Sequence, residues 1–346
     1  MAKDVHVFSD FPVVDTVTFN NLFEHQYGGV DNLILKDSLL ITFNNHGRSR
    51  KGYQFTSYNL LTFENFSFFP FGKGPCEVLG AQTTGILGNQ FWMYDITTKK
   101  FLFLKLKDII PGESGYKENC VSLSIKKDKS KKFELGKGFL INDTTYVCTV
   151  IGSMLKNKLA KITLPNCEIT KEYGNFNQDN DNKMFSLNRK AHIERSFFFA
   201  KPDNNNVVAL AYFLTDKFEI FNLENNESSV FWGPHKIKNE FDVNKQTPNP
   251  YPQINDKTQV TYVGGYATKK HVYLIYSGNY FRKNLTPNGL NLASKSIYVF
   301  DWTGKVIKKI VWKEDVSIRA IAISENEDTL YAFDENSNYV VTSKLK

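Results

Sequence analysis

Arginine, cysteine and tryptophan are scarce in this sequence, which has six, four and four of them. Long helical periodicity is nearly absent, which argues against a helical fold. No apolar run approaches the roughly 18 residues of a membrane span. The opening Met1-Ala2-Lys3-Asp4-Val5-His6 holds no apolar stretch of the kind an export signal needs. That start fits either a cytosolic chain or one whose export signal has been removed. The four cysteines, Cys76, Cys120, Cys148 and Cys167, match no zinc spacing and no CxxC pair. They read first as free thiols acting as small apolar residues, with a disulfide as the alternative.

Catalytic signatures are missing too. There is no Gly-x-Ser-x-Gly elbow and no phosphate loop. Asn177, Asp179 and Asp181 alternate as in a calcium loop, but the following Gly and the closing Glu are absent. The net charge of +7 comes mostly from lysine, which reads as a solvated surface and suggests an acidic partner. The densest basic run, Lys126–Lys132, has no interleaved aromatics. It makes a poor nucleic-acid platform, so no nucleic-acid partner is expected.

Phenylalanine (29) and tyrosine (17) are abundant, and both favour strands. Short β-branched and aromatic runs, bounded by Asn, Asp, Gly and Pro, fill the chain and predict an all-β fold. Some runs repeat as strand, tight polar turn, strand and a closing aromatic: Ser57–Gly72, Lys161–Gly174, Ile220–Gly233 and Tyr298–Trp312. In "FPFGKGPCEVLG", Phe69–Gly80, the glycines are expected to supply backbone angles closed to other residues. Pro75 suits the way into a strand. Six four-strand units of about 57 residues then fill positions 1–346 as one domain. Their first strands are expected near Asn32–Lys36, Ala81–Leu87, Gly138–Ile141, Ile193–Ala200, Val260–Tyr266 and Ile318–Ile323. The last unit lacks a fourth strand, and Asp15–Phe19 is expected to supply it. Pairing the two chain ends this way removes an exposed sheet edge. The sequence therefore predicts a six-bladed β-propeller of four-stranded antiparallel blades, closed by an N-terminal strand.

Gly72, Gly74, Pro75 and Glu77 of "GKGPCEVLG" resemble the Gly-x-Gly-Pro-Gly-Glu turn of the six-bladed, TolB-like propellers abundant in Bacteroidetes. Cys76 stands where that family usually has Gly. The closing "SIRAIAISENEDTLYAFDENSNYVV" is similar to NHL-type blades. The resemblance implies an envelope lipoprotein, periplasmic or anchored at the outer membrane, with a cytoplasmic location as the alternative. It implies binding of an envelope glycan, peptide or protein more than catalysis. Membrane contact would come only through a lipid anchor outside this sequence.

In such a fold the second-to-third and fourth-to-first connections share one face, the top. That face carries the long segments Asn44–Gly52, Gly174–His192, Gly233–Gln259 and Gly278–Lys295. Long loops in a compact domain are commonly functional, though tolerated insertions are the plainer reading. Arg48, Arg50, Arg189 and Arg282 fall in these loops, and Arg195 and Arg319 near the upper starts of first strands. The guanidinium fork suits carboxylate or phosphate. These six, with His46, His192, His235, Tyr251 and Tyr280, form the candidate site for an anionic group of a glycan or peptide. The plainer reading has the arginines bonding loop carbonyls. No cofactor is expected. The alternative is a propeller hydrolase or lactonase acting on a sugar-derived substrate, with Ca2+ or another divalent ion in the channel and Glu77 and Glu194 as candidate ligands.

Overall fold

The computed structural model describes residues 2–45, 52–111, 119–126, 133–152, 157–176, 193–238, 240–244, 251–281, 294 and 296–346. Three short strands open the chain: β1 (Ala2–Val7), β2 (Val14–Val17) and β3 (Asn20–Glu24). Blade one follows as β4 (Gly29–Lys36), β5 (Leu39–Asn45), β6 (Tyr53–Asn59) and β7 (Asn65–Pro70). Blade two is β8 (Ala81–Leu87), β9 (Gln90–Asp95), β10 (Lys100–Lys105) and β11 (Val121–Ser124). Blade three is β12 (Phe133–Asn142), β13 (Thr145–Gly152), β14 (Asn157–Thr163) and β15 (Glu168–Asn175). Blade four is β16 (Ser196–Lys201), β17 (Asn204–Tyr212), β18 (Lys217–Asn222) and β19 (Glu227–Trp232). A two-stranded hairpin, β20 (Asp242–Asn244) and β21 (Tyr251–Gln253), intervenes. Blade five is β22 (Gln259–Ala267), β23 (His271–Tyr280), β24 (Ser296–Asp301) and β25 (Val306–Trp312). Blade six takes β26 (Ile318–Ile323), β27 (Thr329–Asp334) and β28 (Tyr339–Lys344) from the C-terminal end and β3 from the N-terminal end. The fold is the expected six-bladed propeller, all-β and antiparallel within each blade.

The core lies between blades. Each blade presses both faces against neighbours, so its middle strands need apolar residues on both sides. Phe91 to Asp95 and Phe218 to Phe221 are accordingly buried without alternation. Aromatic rings interlock across the joints: Phe55 packs edge-on against Phe91 at 5.0 Å, and Phe101 against Tyr146 at 5.1 Å. First strands differ, because one edge faces the open axis. All seven residues of β8 are half-buried.

Closure differs from expectation in register. Val14–Val17 does not complete blade six; it runs parallel to β25 as a fifth strand of blade five. Asn20–Glu24 completes blade six, with Phe23 opposite Val340 and Glu24 opposite Tyr339. β1 likewise runs parallel to β19 outside blade four. Residues 2–24 thus form a strap over three successive blades. Phe8 and Phe11 pin it against Phe300 and Tyr298, and Asp15 pairs with Lys308 at 2.8 Å.

The Gly-x-Gly-Pro turn also works differently. Neither Gly72 nor Gly74 is among the positive-φ residues; the left-handed angle falls on Phe69, at 55°. The glycines are needed for space. Glu77 folds back over the turn and accepts the Gly74 N–H at 2.7 Å. A Cβ on Gly72 would collide with its carboxylate, and one on Gly74 would stand 2.9 Å from its Cδ. Lys100 Nζ donates to the Gly74 carbonyl at 2.9 Å from beneath. Cys76, beside Glu77, forms a disulfide with Cys120, while Cys148 and Cys167 are buried thiols outside any disulfide. The first reading of the cysteines, all as thiols, therefore holds for two of the four.

Candidate functional site: the mouth of the central channel

The six first strands enclose a central cavity of about 1500 Å3. Five of them carry a β-bulge near the upper end. The extra residue is Asp31 in blade one, Gln82 in blade two, Val263 in blade five and Arg319 in blade six. In blade three, Gly136 and Lys137 together oppose Thr149. Blade four has no bulge there, but Arg195 stands just before β16 at the same level, its carbonyl accepting the Phe213 N–H at 3.1 Å. A bulge re-aims one side chain out of the pleat. All seven residues line the cavity, so the bulges build a ring at its mouth.

The charges in that ring are unevenly matched. Arg319 bridges two blades, with Nη2 2.7 Å from Asp31 and Nη1 3.2 Å from Glu335. Arg195 has no such partner. Its guanidinium carbon lies 3.8 Å from the centroid of the Phe213 ring, and its Nε has no hydrogen-bond partner. Burial pushes its pKa down to about 10, still leaving it charged at neutral pH. Lys137 stands open to the channel water, with Nζ 4.7 Å from the Phe197 centroid. The enclosing walls lower its pKa most; Asp31 opposes that shift, and Arg195 and Arg319 add to it by repulsion. Three cations thus face two carboxylates, and two of the cations, Lys137 and Arg195, make no ion pair among the described residues.

Behind the mouth lies a buried polar cluster between blades three and four. Lys158 Nζ stands 2.8 Å from Glu219, 2.8 Å from the Tyr212 hydroxyl and 3.3 Å from Glu194. Lys217 lies 3.8 Å from Glu194, and Tyr212 donates to Glu219 at 2.6 Å. Two lysines and two glutamates balance there. Below the ring the walls turn apolar, with Ile34, Ile86, Phe197 and Phe199 half-buried along the channel. Gly265 leaves room for the Phe199 ring, which a Cβ would approach to 2.9 Å. Tyr266 reaches past blade six, and its hydroxyl donates to the Leu35 carbonyl of blade one at 3.3 Å. At the far end Lys36 pairs with Asp37 and Lys269 with Glu325.

Of the sequence-derived candidates, Arg195 and Arg319 meet at this mouth. Arg48, Arg50, Arg189, Arg282, His46 and His192 lie outside the described residues. His235 sits elsewhere: its N–H donates to Asp216 at 3.1 Å, and its ring stacks on Tyr276 beside a separate cavity of about 390 Å3. Tyr280 ends β23 opposite Gln259, half exposed and not along the channel. Tyr251 opens β21, opposite Asn244. Glu77 is occupied by its own turn and Glu194 by two lysines. The structure does not bring the two together, and no cluster of three or more His, Cys, Asp or Glu suited to a metal occurs among the described residues. Lys137 was missed. Its only sequence signal is the flanking pair Gly136 and Gly138, where a Cβ would strike the backbone of β13.

The fold and this ring define a six-bladed propeller with a channel mouth at which, among the described residues, cations outnumber carboxylates. The chain belongs to the TolB-like 6-blade propeller-like family, whose model matches residues 14–326. It is similar to the crystal structure of a DUF4221 family member from Bacteroides vulgatus, with a TM-score of 0.61 at 11% identity over 96% of this chain and 97% of that one. It also matches the Cps50 (Swd1) β-propeller domain of Myceliophteria thermophila, with a TM-score of 0.48 at 8% identity over 95% and 100%. No curated protein sequence matches.

Proposed function

We propose that this protein is a non-catalytic binding propeller of the cell envelope, and that its channel mouth holds an anionic group of a glycan or peptide. The observation that carries this reading is the pair Lys137 and Arg195, without an ion-pair partner among the described residues and turned into a cavity at the level where Arg319 is already held by Asp31 and Glu335. Leaving cations without counter-ions in a confined space is costly, and a bound anion offsets that cost. Membership of the TolB-like family supports the envelope location. So does the Cys76–Cys120 disulfide, because such bonds persist in oxidising compartments and are rare in the cytosol.

The test is an array of acidic glycans and peptides, probed with the wild type and with Arg195→Met and Lys137→Met, with and without divalent metal. Each substitution removes one charged contact, worth about 1.5–3 kcal/mol. Each is expected to weaken the anion by roughly ten- to a hundredfold, with no dependence on metal. Equal binding by the wild type and both variants ends the proposal.

A further inference from the structure

Resting on the anion-binding reading above, we infer that the ligand of this channel is an amphiphilic monocarboxylate: one carboxylate at the ring and an aryl or acyl body below it. The charge count sets the head group. Among the described residues, Lys137, Arg195 and Arg319 exceed Asp31 and Glu335 by a single positive charge, and the neighbouring Lys158–Lys217–Glu194–Glu219 cluster adds none. One carboxylate neutralises that excess; a phosphate dianion overshoots it.

The walls set the body of the ligand. A sugar needs hydrogen-bonding groups at every depth of its site. Here Ile34, Ile86, Phe197 and Phe199, all half-buried, line the cavity below the ring, and the hydroxyls of the adjoining Thr83 and Thr84 are taken by the Gly138 and Trp92 carbonyls. Apolar surface kept open to water inside a cavity marks a binding wall. Tyr266 spends its hydroxyl on the Leu35 carbonyl, so it too offers the ligand its ring. Phe199 leans over Gly265 from blade four toward blade five, and Tyr266 spans from blade five to blade one. Both line the cavity below the ring, so the apolar body lies against them and the carboxylate stays with the cations at the mouth. The paired charges at the foot offer no second anion site.

Calorimetry with three probes tests this: 3-phenylpropanoate, its neutral amide 3-phenylpropanamide, and glucuronate. The acid is expected to bind the wild type at least about tenfold tighter than either of the others, since even a methylene in an apolar pocket is worth about that much. Ile86→Ser is expected to weaken the acid and leave glucuronate unchanged, with thermal melting confirming that the variant folds. If glucuronate binds as tightly as the acid, and loses affinity in Arg195→Met, the amphiphile is wrong while the anion site stands. Equal binding of acid and amide also overturns the inference. Binding of neither acid removes both readings together.

Discussion

Glu219 shows what a single side chain does in this protein. Burial alone would raise its pKa, but Lys158 and Lys217 together with the bonds from Lys158 and Tyr212 hold it below the usual range. A carboxyl depressed in the folded state contributes stability in full above its unfolded value, about 4.3. That contribution disappears as pH falls through the lower folded value. Glu219→Gln leaves Lys158 and Lys217 with one carboxylate between them. Unfolding in urea near neutral pH is expected to show a loss of about 3–5 kcal/mol, as for other broken buried pairs, and a flatter response to acid. A variant as stable as the wild type at pH 7 contradicts this. At the same scale, arginine scarcity made Arg195 and Arg319 legible in the sequence. Lys137 was hidden among many lysines, because only the bulge register of β12 turns it inward. The glycines at 72 and 74 were correctly singled out for the wrong reason. Local sequence suggested backbone angle, whereas the constraint is the Glu77 carboxylate three to five residues on.

Among the elements, the first strands with compact apolar runs were the easiest to read. β8 and β26 fall where the sequence places them, at Ala81–Leu87 and Ile318–Ile323. The N-terminal strap was harder. Val14–Val17 and Asn20–Glu24 both read as strands, and nothing local says which sheet edge each joins. The two have unequal roles. β1 exposes Val5 and Val7 to solvent by more than half, whereas β3 seals blade six, with Phe23 stacked on Tyr58 of blade one at 4.3 Å. Removing residues 2–7 is expected to cost no more than about 1 kcal/mol, as for surface changes. Removing residues 2–24 opens the ring, and its unfolding should become broad and less cooperative in calorimetry. Equal melting of the two truncations would show that β3 does not close the molecule.

For the whole molecule, the channel is polar and unbalanced at one end, apolar in the middle and self-paired at the other. That gradient arises because the bulges repeat at one level of the ring, a property of the assembled propeller that no single blade carries. Blade count was legible from repeat spacing, and so was the placing of Arg195 and Arg319 at the upper starts of first strands. The channel wall was not, since strand sequences do not reveal which half-buried residues look inward. Lys137 also gives the site a pH signature. Its pKa is lowered, so the ring loses positive charge as pH rises, and anion affinity is expected to fall on the alkaline side in the wild type. In Lys137→Met that decline should shrink. The most direct test of the central claim is a crystal of the protein soaked in 4-bromobenzoate and measured at the bromine edge. The account expects the carboxylate between Arg195 and Lys137 and the bromine signal deeper in the channel, against Phe199 and Tyr266. Bromine found only outside the channel, or a carboxylate bound away from both cations, contradicts it.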